Sequence, residues 1–371
     1  MILGIFPEQG GSIANLGRTG QDTRFIQAYL TEYARHFAKV YYFSYANEQP
    51  ALPANCYVVP NPGYHRWSYT FGLPLIQRRY IAECDVFRVM QAYGSIPAQI
   101  SKALYGKPYL VTYGYRYFDN VRKEEPWLRA VVMAQRAKLG AQMADRVIVT
   151  TPEMGDYVAA FTPREKLLLV PNGVDTNTFR PAETKAKNAT PTLIHVGRLS
   201  PEKNLPMLID ALALIPTQQA RLVLVGSGPQ REELATYAAT KGVPVEFTGV
   251  LPHEQLPTVL QQADLFVLPS LSEGHPKALL EAMSCGLPCV GTNVPGVRDV
   301  ITDGDNGLLC ALTPGDMAEK ITQVLTTPEV AQRLGAQARS YIINDYQIDK
   351  LVQREIAAMQ ALVTRKQQRD R

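Results

Sequence analysis

Short apolar runs alternate with amphipathic helical stretches along this chain, and that alternation restricts its fold more than any other feature. In the second half, Leu193–Val196, Leu222–Val225, Val245–Thr248, Leu265–Pro269 and Pro288–Gly291 read as strands buried on both faces. Helical stretches intervene at about Leu205–Leu214, Gln230–Thr240, His253–Gln262 and Lys277–Cys285. The first half follows the same rule. Strands are predicted at Ile2–Phe6, Val40–Ser44, Val86–Met90, Tyr109–Thr112, Arg146–Thr150 and Leu167–Val170, and helices at about Ile96–Leu104 and Leu128–Met143. Asp22 is placed to cap a further helix to about Phe37, with Phe25, Ile26, Tyr29, Leu30 and Tyr33 on one face. Strand–helix–strand repeats of this kind build parallel sheets covered by helices.

A chain of 371 residues exceeds what one ordinary core supports, so two α/β domains are expected. The turn-rich segment Pro171-Asn172-Gly173-Val174-Asp175 and the polar stretch 183–190 place the boundary near residue 172. The predicted domains are therefore 1–172 and 173–348, with a helix from about 349 to 371 ending in a basic, solvated tail. Doubly wound sheets bind ligands at the carboxyl ends of their strands, which suggests a cleft between the domains.

Composition removes several classes. No apolar run approaches the ~18–20 residues that span a bilayer. The N-terminus Met1–Phe6 lacks a basic lead and reads as a buried strand rather than a signal peptide. Five scattered cysteines without a CxxC pair argue for reduced thiols in a cytosolic protein, and against a disulfide framework or zinc ribbon. Charge is uneven: residues 1–172 carry 19 Lys and Arg against 13 Asp and Glu, and the remainder 19 against 21. The first part also holds 16 of 19 tyrosines and both tryptophans. The clusters Tyr64–Tyr69 and Tyr113–Phe118 are too polar and contiguous for one buried face, so partial exposure and ligand contact are expected of them.

Three loops carry chemistry. Gly197-Arg198-Leu199-Ser200-Pro201-Glu202-Lys203-Asn204 lies between a strand and a helix. Its glycine admits a ligand to the backbone, and Arg198 and Lys203 set two cations beside a helix N-terminus, an arrangement suited to phosphate. Alone, this loop reads equally well as a solvated turn. Gly226-Ser227-Gly228-Pro229 repeats the pattern weakly. The strongest segment is Glu273-Gly274-His275-Pro276-Lys277-Ala278-Leu279-Leu280-Glu281. Pro276 is expected in the first helical turn, leaving the following amides open to an anion, with a carboxylate on either side to accept sugar hydroxyls. His275 either touches the sugar or fills space. Asp303-Gly304-Asp305, a DxD sequence, reads as a turn because Asn306-Gly307 follows it. No metal site and no obligatory cofactor are expected.

These loops, in this order, resemble the family-4 retaining glycosyltransferases (group 1) of the GT-B fold, in which two Rossmann-like domains face each other across a cleft. The resemblance runs from about Val170 to Leu309, and its Glu-x7-Glu signature is matched by Glu273 and Glu281. It implies that the second domain binds a nucleoside-diphosphate sugar and the first an acceptor, with the C-terminal helix packing back on the first. It assigns Arg198 and Lys203 to the diphosphate, Glu281 to the ribose, Glu273 to the transferred sugar and the region of Val250-Leu251 to the base. Arg198, Lys203 and Glu273 are then the catalytic set. Gly197, Gly226, Gly274, His275, Pro276, Lys277, Ala278 and Leu279 complete the donor site.

The first half departs from the family. Gly10-Gly11 and Gly17-Arg18-Thr19-Gly20 make a longer glycine loop than usual, and Val89–Gly94 and Val111–Gly114 lack the histidines many members carry there. No side-chain general base is evident. Acceptor-side candidates are Gly20, Arg24, Tyr93, Tyr113 and Arg116. The expected activity is sugar transfer to a glycan, glycolipid or other hydroxyl acceptor in surface polysaccharide or glycolipid synthesis, with a UDP-sugar favoured and a GDP-sugar second. A cytoplasmic protein, peripheral at the inner membrane surface, suits the basic aromatic domain. Nucleic acid is not an expected partner. The competing readings are a nucleotide-sugar epimerase or hydrolase on the same fold, and a non-catalytic nucleotide-sugar-binding subunit.

Overall fold

The computed structural model describes residues 1–17, 21–122, 125–184, 189–215 and 220–369, without the side chains of Asn120 and Arg369. The chain divides into two compact units, Met1–Pro171 with Asp349–Arg371, and Asn172–Ile348.

The first unit holds β1 (Ile2–Phe6), β2 (Lys39–Phe43), β3 (Cys56–Val59), β4 (Val86–Val89), β5 (Tyr109–Tyr113), β6 (Arg146–Val149) and β7 (Leu167–Leu169). Their order in the sheet is β3-β2-β1-β4-β5-β6-β7, and every pairing is parallel. The second unit holds β8 (Thr192–Val196), β9 (Arg221–Val225), β10 (Val245–Gly249), β11 (Leu265–Leu268), β12 (Cys289–Thr292) and β13 (Leu308–Cys310). Its order is β10-β9-β8-β11-β12-β13, again parallel throughout. Both faces of the inner strands are covered, which is why β8, β9, β11 and β12 are mostly apolar, whereas the edge strand β10, Val-Glu-Phe-Thr-Gly, has no buried residue. Within β8, Leu193 enters one core cluster and Ile194 the other.

Elements missing from the sequence reading form against, or without, a local signal. The helix Arg66–Ile76 contains Gly72 and Pro74, both adverse to a helix interior, and its core face is only Tyr69, Thr70, Leu73 and Pro74. β3 is a short edge strand with Tyr57 turned to solvent. The helix predicted from Asp22 is present, but Gln21 precedes its first turn, Asp22 lies inside it, and Phe25–Leu30 is wound as π-helix. Within the aromatic clusters exposure is mixed. Residues 64–68 are exposed, whereas Tyr69, Tyr113 and Tyr117 are fully buried among other rings.

The C-terminal helix Ile348–Arg369 is joined to the first sheet by a buried ion pair. Arg88 on β4 donates through Nε to Glu355 Oε2 at 2.8 Å, and the Tyr33 hydroxyl donates to the same oxygen at 2.7 Å. Thr112 Oγ1 and the Val89 carbonyl accept the remaining guanidinium bonds. Arg88 and Glu355 are 2% and 4% exposed, so each charge depends on the other for solvation. Glu355→Ala strands the guanidinium and is expected to lower unfolding free energy by about 3–5 kcal/mol in urea titration. The double variant Arg88→Met with Glu355→Met is expected to recover most of that loss. A single variant that unfolds at the wild-type urea concentration contradicts this account.

Candidate functional site

The strand order of the second sheet reverses at the β8–β11 pair, and open parallel sheets bind ligands at the carboxyl ends of such strands. Two loops leave the sheet there, 197–204 after β8 and 269–276 after β11. The first is pinned to β9 and the loop that follows it by bonds from Gly197 N to Val225 O (2.9 Å) and from Leu199 N to Ser227 O (3.0 Å). A Cβ on Gly226, whose φ is +133°, would lie 2.0 Å from the Gly197 carbonyl oxygen. One on Gly228 would lie 2.2 Å from that of Leu199. The glycine pair that looked weak in the sequence thus has a packing requirement of its own: it lets one loop nest on the other.

An ion pair ties the two switch-point loops together. Lys203 Nζ meets Glu273 Oε1 at 2.7 Å, and the Ser270 hydroxyl donates to that same oxygen at 2.6 Å. Leu271 N donates to Glu202 O at 2.9 Å beside it. Behind the Glu273 backbone lies Gly296, where a Cβ would stand 2.4 Å from Glu273 O. Two residues to which the resemblance gives different parts of a donor are therefore partners here. Arg198 is exposed on the β8 loop.

The second carboxylate has a partner that sequence reasoning missed. Glu281, inside the helix Lys277–Ser284, is 6% exposed, and its Oε1 lies 3.0 Å from His253 Nε2. The His253 ring also lies against Phe179, with centroids 5.1 Å apart. A signal was present: His253 follows Val250-Leu251 in a loop leaving β10. Val250 is exposed there and Leu251 half-buried.

The start of that helix corrects one expectation. Pro276 does not lie in the first helical turn. It immediately precedes it, in extended conformation (φ −76°, ψ 98°), and Lys277 is the first helical residue. The geometry still leaves the first amides of the helix without intrahelical acceptors. Leu279 is buried in the core, so its side chain faces no ligand and only its backbone belongs to the helix start. Gly274 and Lys277 are exposed, and Ala278 is half-buried.

Two histidines are held neutral. His195, fully buried on β8, places Nδ1 3.0 Å from the Val267 carbonyl, which can only accept, so Nδ1 carries the proton. Its Nε2 is buried without a hydrogen-bond partner, 3.0 Å from where a Gly197 Cβ would stand. Burial, with Lys203 nearby, pushes its pKa down to about 4. Burial also takes His275 to about 4, with Lys277 adding to the effect. The His275 carbonyl accepts from Asn172 Nδ2 at 3.0 Å, and its ring lies 5.5 Å from that of Tyr346. Packing accounts for much of its environment.

Elsewhere, Asp303 Oδ1 accepts from Leu309 N at 2.8 Å, and Gly304, at φ +75°, donates to Gly307 O. The DxD sequence is a turn. Among the described residues no group of three or more His, Cys, Asp and Glu side chains is placed to hold a metal ion. Of the acceptor-side candidates, Gly20 lies outside the described residues. Arg24 is half-buried, Arg116 pairs with Glu153 at 2.9 Å, and Tyr93 is half-buried beneath Arg136. Tyr113 is a correction: its ring is wholly buried between Tyr117, Tyr157 and Phe161, so it presents no surface to a ligand.

Known proteins share this architecture. Sucrose-phosphate synthase from Thermosynechococcus elongatus superposes with a TM-score of 0.79 over 98% of this chain and 99% of its own, at 21% identity. The fold is thus GT-B, two Rossmann-like domains. Residues 176–341 match the profile of the glycosyl transferases group 1, and residues 23–178 that of glycosyltransferase family 4. The chain belongs to the group 1, family-4 glycosyltransferases. Among curated relatives, the sulfoquinovosyl transferase of Arabidopsis thaliana is 34% identical over 49% of this chain and 38% of its own length. A GDP-mannose-dependent alpha-(1-6)-phosphatidylinositol dimannoside mannosyltransferase of Mycobacterium tuberculosis is 36% identical over 47% of each. The chain spans about half or less of the length of these relatives.

Proposed function

We propose that this protein is a retaining glycosyltransferase whose second unit binds a nucleoside-diphosphate sugar and whose first unit binds the hydroxyl acceptor. The observation that carries the reading is the Lys203–Glu273 pair at the switch point, with Glu281 buried in the adjoining helix. Lys203 and Arg198 meet the diphosphate, Glu281 the ribose hydroxyls and Glu273 the sugar. The base lies near Val250 and Leu251. A UDP-sugar is the first candidate, and the GDP-mannose dependence named for the mycobacterial relative supports a GDP-sugar as the second.

In the reaction the bond from the anomeric carbon to the diphosphate oxygen breaks, and a bond to the acceptor oxygen forms on the same face. The acceptor proton passes to the departing phosphate oxygen, so no side-chain base is required. The protein's work is to stabilise charge growing on the diphosphate, which two cations and a helix start can do. Each such contact is worth about 3 kcal/mol in the transition state, or roughly 100-fold in rate.

An acceptor at a cytoplasmic membrane surface, in glycolipid or surface polysaccharide assembly, fits the first unit. Along the helix Arg66–Ile76, Trp67, Phe71 and Leu75 are open to solvent, and Arg66, Arg78 and Arg79 are exposed beside them. Among the described residues no helix is long and apolar enough to cross a membrane, so any attachment of these residues is to a surface. Sedimentation with anionic vesicles at low salt, reversed by high salt, is expected. A protein that stays in the supernatant at low salt removes the membrane part of the proposal.

Lys203→Ala and Glu281→Ala are each expected to lower turnover about 100-fold with whichever nucleotide sugar is used, while circular dichroism stays unchanged. Wild-type turnover in either variant contradicts the donor assignment. Rapid epimerisation or hydrolysis of the donor without acceptor would favour the other enzyme class.

A further inference from the structure

The first sheet also reverses its order, at the β1–β4 pair. The turn after β4 is held there by two close approaches. A Cβ on Gly94 would lie 2.6 Å from the Pro7 carbonyl oxygen in the loop after β1. A Cβ on Gly140, in the helix Trp127–Met143, would lie 2.8 Å from the Ala92 carbonyl oxygen and 2.2 Å from Ser95 Oγ. The turn is thus wedged between the β1 loop and that helix. Arg136 lies four residues before Gly140 on the same helix face, so this packing sets it over the turn.

The surroundings of Arg136 are unusual for a structural arginine. Its guanidinium carbon lies 4.3 Å from the Tyr93 ring centroid and 5.2 Å from that of Trp67. Its NH1 group donates to Gln9 Oε1 at 3.2 Å and its NH2 group to the Tyr93 carbonyl at 3.5 Å. Nε is buried without a hydrogen-bond partner. Among the described residues no carboxylate lies within 4.0 Å of it. Gln9 is itself fixed, donating to Thr70 Oγ1 at 3.2 Å, and Thr70 Oγ1 lies 2.9 Å from the Tyr45 hydroxyl. A half-buried cation therefore stands at the strand ends with neutral acceptors and ring faces around it and, among the described residues, no carboxylate within ion-pair distance.

We propose that Arg136, with Gln9, Trp67 and Tyr93, forms an acceptor subsite for a sugar bearing an oxyanion, either a uronate carboxylate or a phosphate ester. The guanidinium fork supplies charge-assisted bonds to the oxyanion. Trp67, 40% exposed, and Tyr93, half-buried, offer ring surface to the sugar. The proposal rests on the reading that the first unit takes the acceptor, and it narrows the acceptor to anionic sugars.

The test is saturation-transfer NMR on the full chain with methyl glucuronide, glucose 6-phosphate and methyl glucoside, with a nucleoside diphosphate present to fill the phosphate site of the second unit. At least one anionic sugar is expected to bind about tenfold more tightly than methyl glucoside, and whichever binds better names the acceptor's substituent. Arg136→Gln should erase that preference, and Arg136→Lys should keep part of it. Should Arg136→Gln fail to fold, Trp67→Ala, which removes a partly exposed ring, is expected to weaken the anionic sugar in its place. Equal binding of charged and neutral sugars overturns the proposal, as does an anionic preference that survives in a folded Arg136→Gln or, in its place, anionic-sugar binding that is not weakened in Trp67→Ala. Nucleotide binding in the same samples judges the donor reading separately: its absence sinks that reading and leaves the Arg136 comparison intact.

Discussion

The ion pair between Lys203 and Glu273 is the interaction on which the candidate site depends. It joins loops from two neighbouring strands at the point where the second sheet reverses its order. Each side chain is mostly covered, so the partner supplies the solvation that water no longer provides. The glycines follow from the same constraint. Gly226 and Gly296 exist as glycines because backbone carbonyls of these loops occupy the space a Cβ would need. In the proposed reaction a diphosphate takes the place of the Glu273 carboxylate on Lys203. That exchange frees Glu273 to accept from sugar hydroxyls, so one bond stands for two donor contacts.

The first unit solves a different problem. Its sheet carries a buried arginine, and the C-terminal helix returns the carboxylate that neutralises it. A second arginine, Arg136, has no carboxylate partner among the described residues and meets rings instead. The contrast between them separates a structural cation from one proposed to serve a ligand. Burial depth differs in the same sense: Arg88 is 2% exposed and Arg136 is half-buried.

Much of this was legible in the sequence because buried parallel strands must be apolar runs, as β9 and β11 are; β13, apolar but only three residues long, is too short to stand out. The helix Leu205–Leu214 was readable to the residue for the same reason. What escaped was decided by tertiary packing. Helix Arg66–Ile76 carries a proline and a glycine that local propensity counts against it. Tyr113 looked like part of a polar aromatic cluster, yet β5 is buried on both faces and takes the ring with it. His253 gave no periodic signal, since its partner Glu281 is 28 residues away and only the fold brings them together. Similarly, nothing local shows that Arg136 meets ring faces rather than a carboxylate among the described residues.

The most direct measurement is a crystal structure of the chain grown with a nucleoside diphosphate. The account predicts the phosphates at the start of the helix Lys277–Ser284, with Lys203 Nζ moved from Glu273 Oε1 onto a phosphate oxygen and Glu281 on the ribose. A nucleotide bound away from these loops, with the 2.7 Å Lys203–Glu273 pair intact, would contradict it.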